Sequence, residues 1–355
     1  MSKSDMNFFL GANSPAGFAS LYGEFADEIS EGRLFIIKGG PGCGKSTFMK
    51  RIADALRKCG YSAEYIRCSG DPDSLDAVYF PELQLAYADG TAPHALEPLY
   101  HGVSGEYVCL GEYCDSGALT SLRGDIESAV NAYRAKYRRA YSLIEAADAA
   151  VRDMYGAFIT GSVRAGVKAR ADAAASRELK KAGGASGYRK RFLGALTHRG
   201  RITFFDTVPA LAERVYAVDG EFGLSSLFLE NISEKAISRG YDCILCPDEA
   251  HPERLRHLII PSKSLAFVTH TPENPYPGEI SRRFRLDALA AHALTPADKK
   301  HFRVCRRLSR ELENEAVSVL SEAKTLHDEL ERIYNPHVDF EAVCALADRH
   351  AEMIS

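Results

Sequence analysis

This chain repeats itself at a near-constant offset, and that constrains its architecture more than any single motif, because two homologous segments must reach the same fold. Phe9-Leu10-Gly11-Ala12 recurs as Phe192-Leu193-Gly194-Ala195. Further on, an offset of 180 pairs Ser46, Phe48, Ile52, Gly60 and Tyr61 with Ser226, Phe228, Ile232, Gly240 and Tyr241. The same offset pairs Pro72, Leu75, Pro81 and Ala86 with Pro252, Leu255, Pro261 and Ala266. An ordered series of this kind, with one small change of register near Gly39 to Ser46, indicates duplication. The halves are taken as 1–185 and 186–355, joining near 183 to 190, and a chain of 355 residues has the length for two domains.

Each half reads in the same order. A short apolar strand (Leu34 to Lys38; Val215 to Val218) leads through a glycine-bearing loop into an amphipathic helix, with Phe48, Ile52, Ala55 and Leu56 at helical spacing. Gly60 and Gly240 stop those helices. Second strands follow at Tyr61 to Cys68 and Tyr241 to Cys246, and third strands at Leu83 to Ala88 and Leu265 to Val268. Strands alternating with helices predict an α/β fold with a parallel sheet covered on both faces. Each half then runs into a long, charged, alanine-rich helical arm, about 120 to 182 and 296 to 353.

Gly39-Gly40-Pro41-Gly42-Cys43-Gly44-Lys45-Ser46, followed by Thr47, satisfies G-x-x-x-x-G-K-[ST]. It leaves an apolar strand and opens a helix, which is the context that motif requires. Glycines let successive N–H groups converge on a phosphate at the positive end of a helix. In that cradle Lys45 supplies a point charge to the β- and γ-phosphates of ATP, and the Ser46 hydroxyl is a ligand for Mg2+. Asp89, closing Leu85-Ala86-Tyr87-Ala88-Asp89, is the candidate metal-side carboxylate; its plain alternative is a turn residue before Gly90. Glu112, after Tyr107-Val108-Cys109-Leu110, is a candidate for orienting the attacking water, and equally a solvated strand-end carboxylate.

With the Gly39 to Ser46 loop, the head segment Phe9 to Gly17, the Asp89-Gly90-Thr91-Ala92-Pro93-His94 stretch and the duplicated layout, nearly the whole chain resembles a group of bacterial tandem P-loop ATP-binding proteins. The resemblance implies two P-loop NTPase-like halves and ATP binding. Relatives of that group often keep a lysine-bearing loop in both halves, and this chain departs from the pattern. At the offset of 180, Gly44, Lys45 and Ser46 face Leu224, Ser225 and Ser226, and Asp89 faces Thr269. The loop Asp219-Gly220-Glu221-Phe222-Gly223 adds two carboxylates, so the second half reads as a degenerate site.

Three functions share such a loop. The leading one is an Mg2+-dependent ATPase whose turnover moves the arms. A small-molecule or nucleotide kinase would need an acceptor carboxylate or base, for which Asp71, Asp73 and His94 are available, but no arginine-rich lid lies between the expected strands. A non-catalytic ATP-dependent switch, with a protein partner held through the arms, is the third. The absence of N-K-x-D gives GTP no support, and the absence of L-S-G-G-Q gives an ABC-type ATPase none.

Composition narrows the partners. The net charge is −4, so no overall field draws the chain to nucleic acid or an anionic membrane. The exception is the junction between Arg164 and Arg201, where eleven Lys/Arg meet only Asp172 and Glu178. A solvated helical face with a linker is the plain reading; a phosphate-facing patch is the sharper one, with Arg189, Arg191 and Arg199 as candidates. Tyr188 and Phe192 are its only aromatics, too few for base stacking, so nucleic acid has little support. No apolar run is long enough to span a bilayer and the start is not built like a signal peptide, so a cytoplasmic protein is expected. Nine scattered cysteines fit reduced thiols, and Cys243-x-x-Cys246 reads as strand rather than a metal or redox pair.

Overall fold

The computed structural model describes residues 5–92, 96–98, 100–182, 186–291 and 294–354, without the side chains of 153 and 155–158. The first half runs β1 (Met6–Phe8), β2 (Gly11–Ser14), β3 (Gly17–Ser20), α1 (Tyr22–Glu28), β4 (Arg33–Lys38), α2 (Lys45–Lys58), β5 (Glu64–Arg67), β6 (Leu75–Phe80), β7 (Leu85–Asp89), β8 (Gly105–Cys109), α3 (Ser116–Ser121), α4 (Arg123–Phe158) and α5 (Gly161–Glu178). The second half gives β9 (Tyr188–Lys190), β10 (Gly194–Thr197), β11 (Gly200–Thr203), α6 (Thr207–Leu211), β12 (Arg214–Asp219), α7 (Leu224–Ser238), β13 (Cys243–Pro247), β14 (Leu255–Ile260), β15 (Leu265–His270), β16 (Arg282–Phe284), α8 (Asp287–Ala291), α9 (Pro296–Tyr334) and α10 (Phe340–Glu352). Strands and helices alternate identically in the two lists, so the repeat seen in sequence is a repeat of structure.

The molecule is α/β with two six-stranded sheets, ordered β1-β5-β6-β7-β4-β8 and β9-β13-β14-β15-β12-β16. The sheets are mixed rather than wholly parallel. β6 runs antiparallel to both β5 and β7, and β14 to both β13 and β15, while the other pairings are parallel. Sequence reading passed over β6 because Asp76 interrupts its apolar run. The structure buries that carboxylate by giving it the Tyr22 hydroxyl as a donor at 2.9 Å. A 3-10 turn starting at Pro81 joins β6 to β7, and Pro261 does the same for β14 and β15. Both turns end on a non-glycine residue in the left-handed region, Gln84 and Ser264, each at φ 48°.

A local two-fold relation joins the sheets. Phe9 N–H donates to the Phe192 carbonyl at 2.8 Å and Phe192 N–H to the Phe9 carbonyl at 2.9 Å, with both side chains fully buried in one shared core. Burying a phenylalanine contributes about 1.5–3 kcal/mol, so the doubled Phe-Leu-Gly-Ala segment is the seam holding the halves together.

The arms pair with each other. α4 (36 residues) and α9 (39 residues) lie antiparallel, as Lys136 to Glu322, Arg139 to Glu315 and Tyr133 against His327 show. Ala140 and Ala316, both fully buried, let the helices approach closely. Beyond this pair the chain crosses over. Val163, Val167, Ala171, Ala174 and Ala175 of α5 pack on Phe228, Leu229 and Ile232 of α7, whereas Val343 and Ala347 of α10 pack on Phe48, Met49 and Ile52 of α2. Arg51 of α2 grips Asp348 of α10 through two hydrogen bonds, 2.5 and 2.8 Å. The sequence divides at 185/186, but each α/β body is covered by the last helix of the other half. Among the described residues no helix is long and apolar enough to cross a membrane.

Candidate functional site

β4 is an almost wholly buried strand, and it delivers the chain into the Gly39–Gly44 loop at the sheet's carboxyl edge. Gly42 and Gly44 take φ of 69° and 82°, left-handed values that only glycine adopts without strain. Gly44 then caps α2, whose first turn holds no acidic residue, so the positive helix end is not neutralised locally. Lys45 is the first helical residue. Its ammonium donates to the Gly39 and Gly40 carbonyls, both at 2.9 Å, and stands 3.7 Å from Asp89 Oδ2. Ser46 Oγ accepts from Leu75 N–H at 3.0 Å, while Thr47 is exposed.

Asp89 ends β7 in register with Ile37 of β4, which is why a residue far along the chain meets Lys45. Its other oxygen, Oδ1, accepts from Thr91 N–H at 2.8 Å and Thr91 Oγ at 2.6 Å, an Asx-type turn that aims the carboxylate. Lys38 ties down the following segment by donating to the Gly90 and Leu96 carbonyls. Glu112 is exposed on a 3-10 turn after β8, next to Gly111, whose N lies close to Gly39. Asp71 is ion-paired with Lys324 and Asp73 with Arg199; His94 lies outside the described residues.

Sequence reading missed the far end of the second arm. A Cβ on Gly40 would stand 3.0 Å from a Tyr334 ring carbon, and one on Gly42 3.1 Å from the Glu331 carbonyl. With its amide nitrogen facing the loop, Asn335 donates to the Gly42 and Glu331 carbonyls at 3.1 Å each. Cys43, pointing inward from the loop, rests 3.1 Å from Cys114 Sγ, and burial pushes the Cys114 thiol up to about 12. Nothing local in the sequence signals the Tyr334, Glu331 and Asn335 contacts, because they join positions nearly 300 residues apart. His327, Asp328 and Glu331 on the same stretch of α9 hold their ligand atoms within 4.8 Å of one another, though Lys324 already pairs with Asp328.

The equivalent loop in the second half is built differently. Arg33 pairs with Leu85 and Arg214 with Leu265, an offset of 181 in the strand, whereas the helix faces match at 180. One residue is therefore missing between strand and helix, which locates the change of register. Gly223 caps α7 at φ 71°, but the helix starts one residue earlier, on Leu224, which is fully buried. The loop's polar groups are already engaged. Glu221 and Phe222 N–H donate to the Asp287 carboxylate at 3.1 and 3.2 Å, Asp219 accepts from Arg283 at 2.7 Å, and Glu221 pairs with Arg306. Burial, with Asp219 and Glu221 adding to it against the two N–H bonds, raises Asp287 to about 6. A Cβ on Gly220 would stand 2.4 Å from the Thr269 methyl, so Thr269 fills the side where Asp89 opens toward Lys45 in the first half.

Above this loop lies a cavity of about 450 Å³, bounded by the loop, α4, α9 and the β13–β14 turn. Arginines of α9 line it.

Arg189, Arg191 and Arg201 of the basic junction are consumed internally, whereas Arg164, Lys168, Arg177, Lys180 and Lys181 are exposed, as on a solvated helical face. Arg191 is fully buried, bonding Glu28 and Glu64 and lying over the Phe25 ring, while Arg189 also pairs with Glu64. Arg201 pairs with Glu249 and Glu313. These arginines are neither a solvated linker nor a phosphate-facing patch, because their acidic partners come from remote segments that local charge counting does not see. Cys243 and Cys246 fall on opposite faces of β13, in separate cores, and burial pushes both thiols up to about 12. Comparison with family models, with curated proteins and with solved structures gives no match for this chain.

Proposed function

We propose that the chain is a tandem P-loop NTPase-like protein that binds Mg-ATP at the Gly39–Thr47 loop and hydrolyses it, with one nucleotide site per chain. The observation that carries this reading is the convergence of Lys45, at the head of α2 behind two left-handed glycines, with the Asp89 carboxylate 3.7 Å away. Lys45 exchanges its two loop carbonyls for β- and γ-phosphate oxygens, and the loop N–H groups take the remaining charge. The Ser46 hydroxyl and the Asp89 carboxylate are hard oxygen donors of the kind Mg2+ takes, and when bound the ion neutralises charge on the phosphates. Glu112 is the carboxylate assigned to orient the water, whose oxygen bonds to the γ-phosphorus as the bond to ADP breaks and a proton is released. Resemblance to bacterial tandem P-loop ATP-binding proteins supports the same reading.

A kinase has less support, since Asp71 and Asp73 are already paired with Lys324 and Arg199. A switch is favoured by one observation, the contact of Tyr334 and Asn335 with the loop, which ties nucleotide occupancy to the arm. Turnover of purified protein with ATP, with and without phosphate acceptors, separates the three. Phosphate release without acceptor supports the ATPase, label transfer the kinase, and binding without turnover the switch.

A further inference from the structure

The second half has lost the lysine of its loop, yet positive charge returns to the same place from another element. Arg303, Arg306, Arg307 and Arg310 of α9 recur at helical spacing and all line the cavity over the degenerate loop. Opposing acids cancel Arg306 but not the other three. Arg306 holds Glu221 and Glu273, Arg256 holds Asp248, Arg201 holds Glu313, and Asp148 pairs with His251 and Arg152. Arg303 and Arg310 have no carboxylate partner among the described side chains, and Arg307 meets only Glu311, at 3.9 Å. The cavity floor contributes the Ser225, Ser226 and Thr271 hydroxyls. Ile144, Val151 and Phe302 form an apolar wall beside it.

We propose that this cavity is a binding site for a small organic phosphate, its phosphate held by Arg303, Arg307 and Arg310 and its organic body against the apolar wall. A volume of about 450 Å³ falls within the range of small-molecule sites. Arginine suits this task because its planar donors match phosphate oxygens in pairs. Mg2+ is not required, since arginines neutralise the ligand directly and no carboxylate stands where Asp89 does in the first half. The site is therefore chemically different from the Mg-ATP site and does not depend on it.

Titration calorimetry of the full chain with inorganic pyrophosphate, in EDTA, tests this. Lys45→Ala is used as background so that the first-half loop does not contribute. One pyrophosphate per chain is expected to bind Lys45→Ala, with affinity falling steeply as salt rises. Arg303→Ala/Arg310→Ala in that background, both on exposed positions of α9, is expected to weaken binding at least tenfold, and Arg303→Lys/Arg310→Lys to restore part of it. Absence of binding to folded Lys45→Ala overturns the proposal, as does unchanged affinity in the double alanine variant. Equal affinity for succinate, a dianion without phosphorus, overturns the assignment of ligand class. Failure of the first-half reading appears separately, as Mg-ATP binding that Lys45→Ala leaves untouched.

Discussion

The two halves share one succession of elements and one strand order, yet they treat the end of their central strand in opposite ways. In the first half, Gly39 to Gly44 wraps ahead of a helix that begins on Lys45, and Asp89 faces the lysine. In the second, one residue is deleted from the connection and the helix begins one residue early, on buried Leu224, so that four residues replace six, and Asp287 occupies two of the loop's N–H groups. A deletion of one residue costs little in the sheet or in the helix body, whose buried faces still match. It removes the backbone curvature on which convergent N–H groups depend. On the proposed reading, the comparison teaches that a phosphate cradle depends on loop length and φ values as well as on the lysine, while the scaffold around it is the same in both halves.

The largest expected effect is at Lys45. Lys45→Ala removes a charged donor to phosphate, and Mg-ATP affinity or turnover should fall roughly 100-fold, consistent with about 1.5–3 kcal/mol for such a bond. Unchanged affinity and rate in the folded variant would remove the distinction between the halves. Asp89→Asn comes next. The Mg2+ concentration for half-maximal turnover should rise about tenfold, with Mg-free nucleotide binding nearly unchanged; overlaying Mg2+ titrations would reduce Asp89 to a turn residue.

Asp287 tests the second loop by pH. Its carboxyl is raised to about 6 in the fold, so the folded state binds the proton more tightly than the unfolded chain. That contribution is full below about pH 4 and is lost as pH rises through 6. The stability of the parent minus that of Asp287→Asn should therefore fall by about 1–2 kcal/mol from pH 4 to 7, the full shift being discounted for partial exposure. A flat difference in urea unfolding across that range would show that the carboxylate is not desolvated against the loop. Asn335→Ala should weaken Mg-ATP binding about fivefold, since it deletes the one hydrogen bond, worth about 1 kcal/mol, from the arm to the Gly42 carbonyl of the loop. No change would uncouple the arm from the site. The smallest effect is expected from Ser225→Lys, which should leave one non-hydrolysable Mg-ATP analogue per chain by calorimetry. A second equivalent site would show that charge alone, without loop length, makes the cradle.

Much of this arrangement is legible in the sequence because it depends on near neighbours. Gly42, Gly44, Lys45 and Ser46 are local in the chain, and strand, loop and helix follow from apolar spacing and glycine placement. Asp89 is legible at one remove, as the acid that closes an apolar strand. The hairpin partner β6 was hidden, because a buried Asp76 looks polar until Tyr22 supplies its hydrogen bond. The junction arginines misled for the same reason. Arg189 and Arg191 look like surface charge in a one-dimensional count, but Glu64 and Glu28 meet them across the seam between halves.

The amino-acid sequence by itself determined the duplication, the α/β class, the lysine-bearing loop of the first half and the absence of a lysine from the equivalent loop of the second, because periodicity, glycine positions and residue identity act over a few residues. Tertiary structure alone decided that the arms pair antiparallel and cross over, so that α10 covers α2 and α5 covers α7. It also decided that Tyr334 and Asn335 meet the loop and that α9 brings arginines over the degenerate one. The physical reason is that these contacts follow from which apolar faces find each other across most of the chain's length, a choice set by packing complementarity that no local pattern encodes.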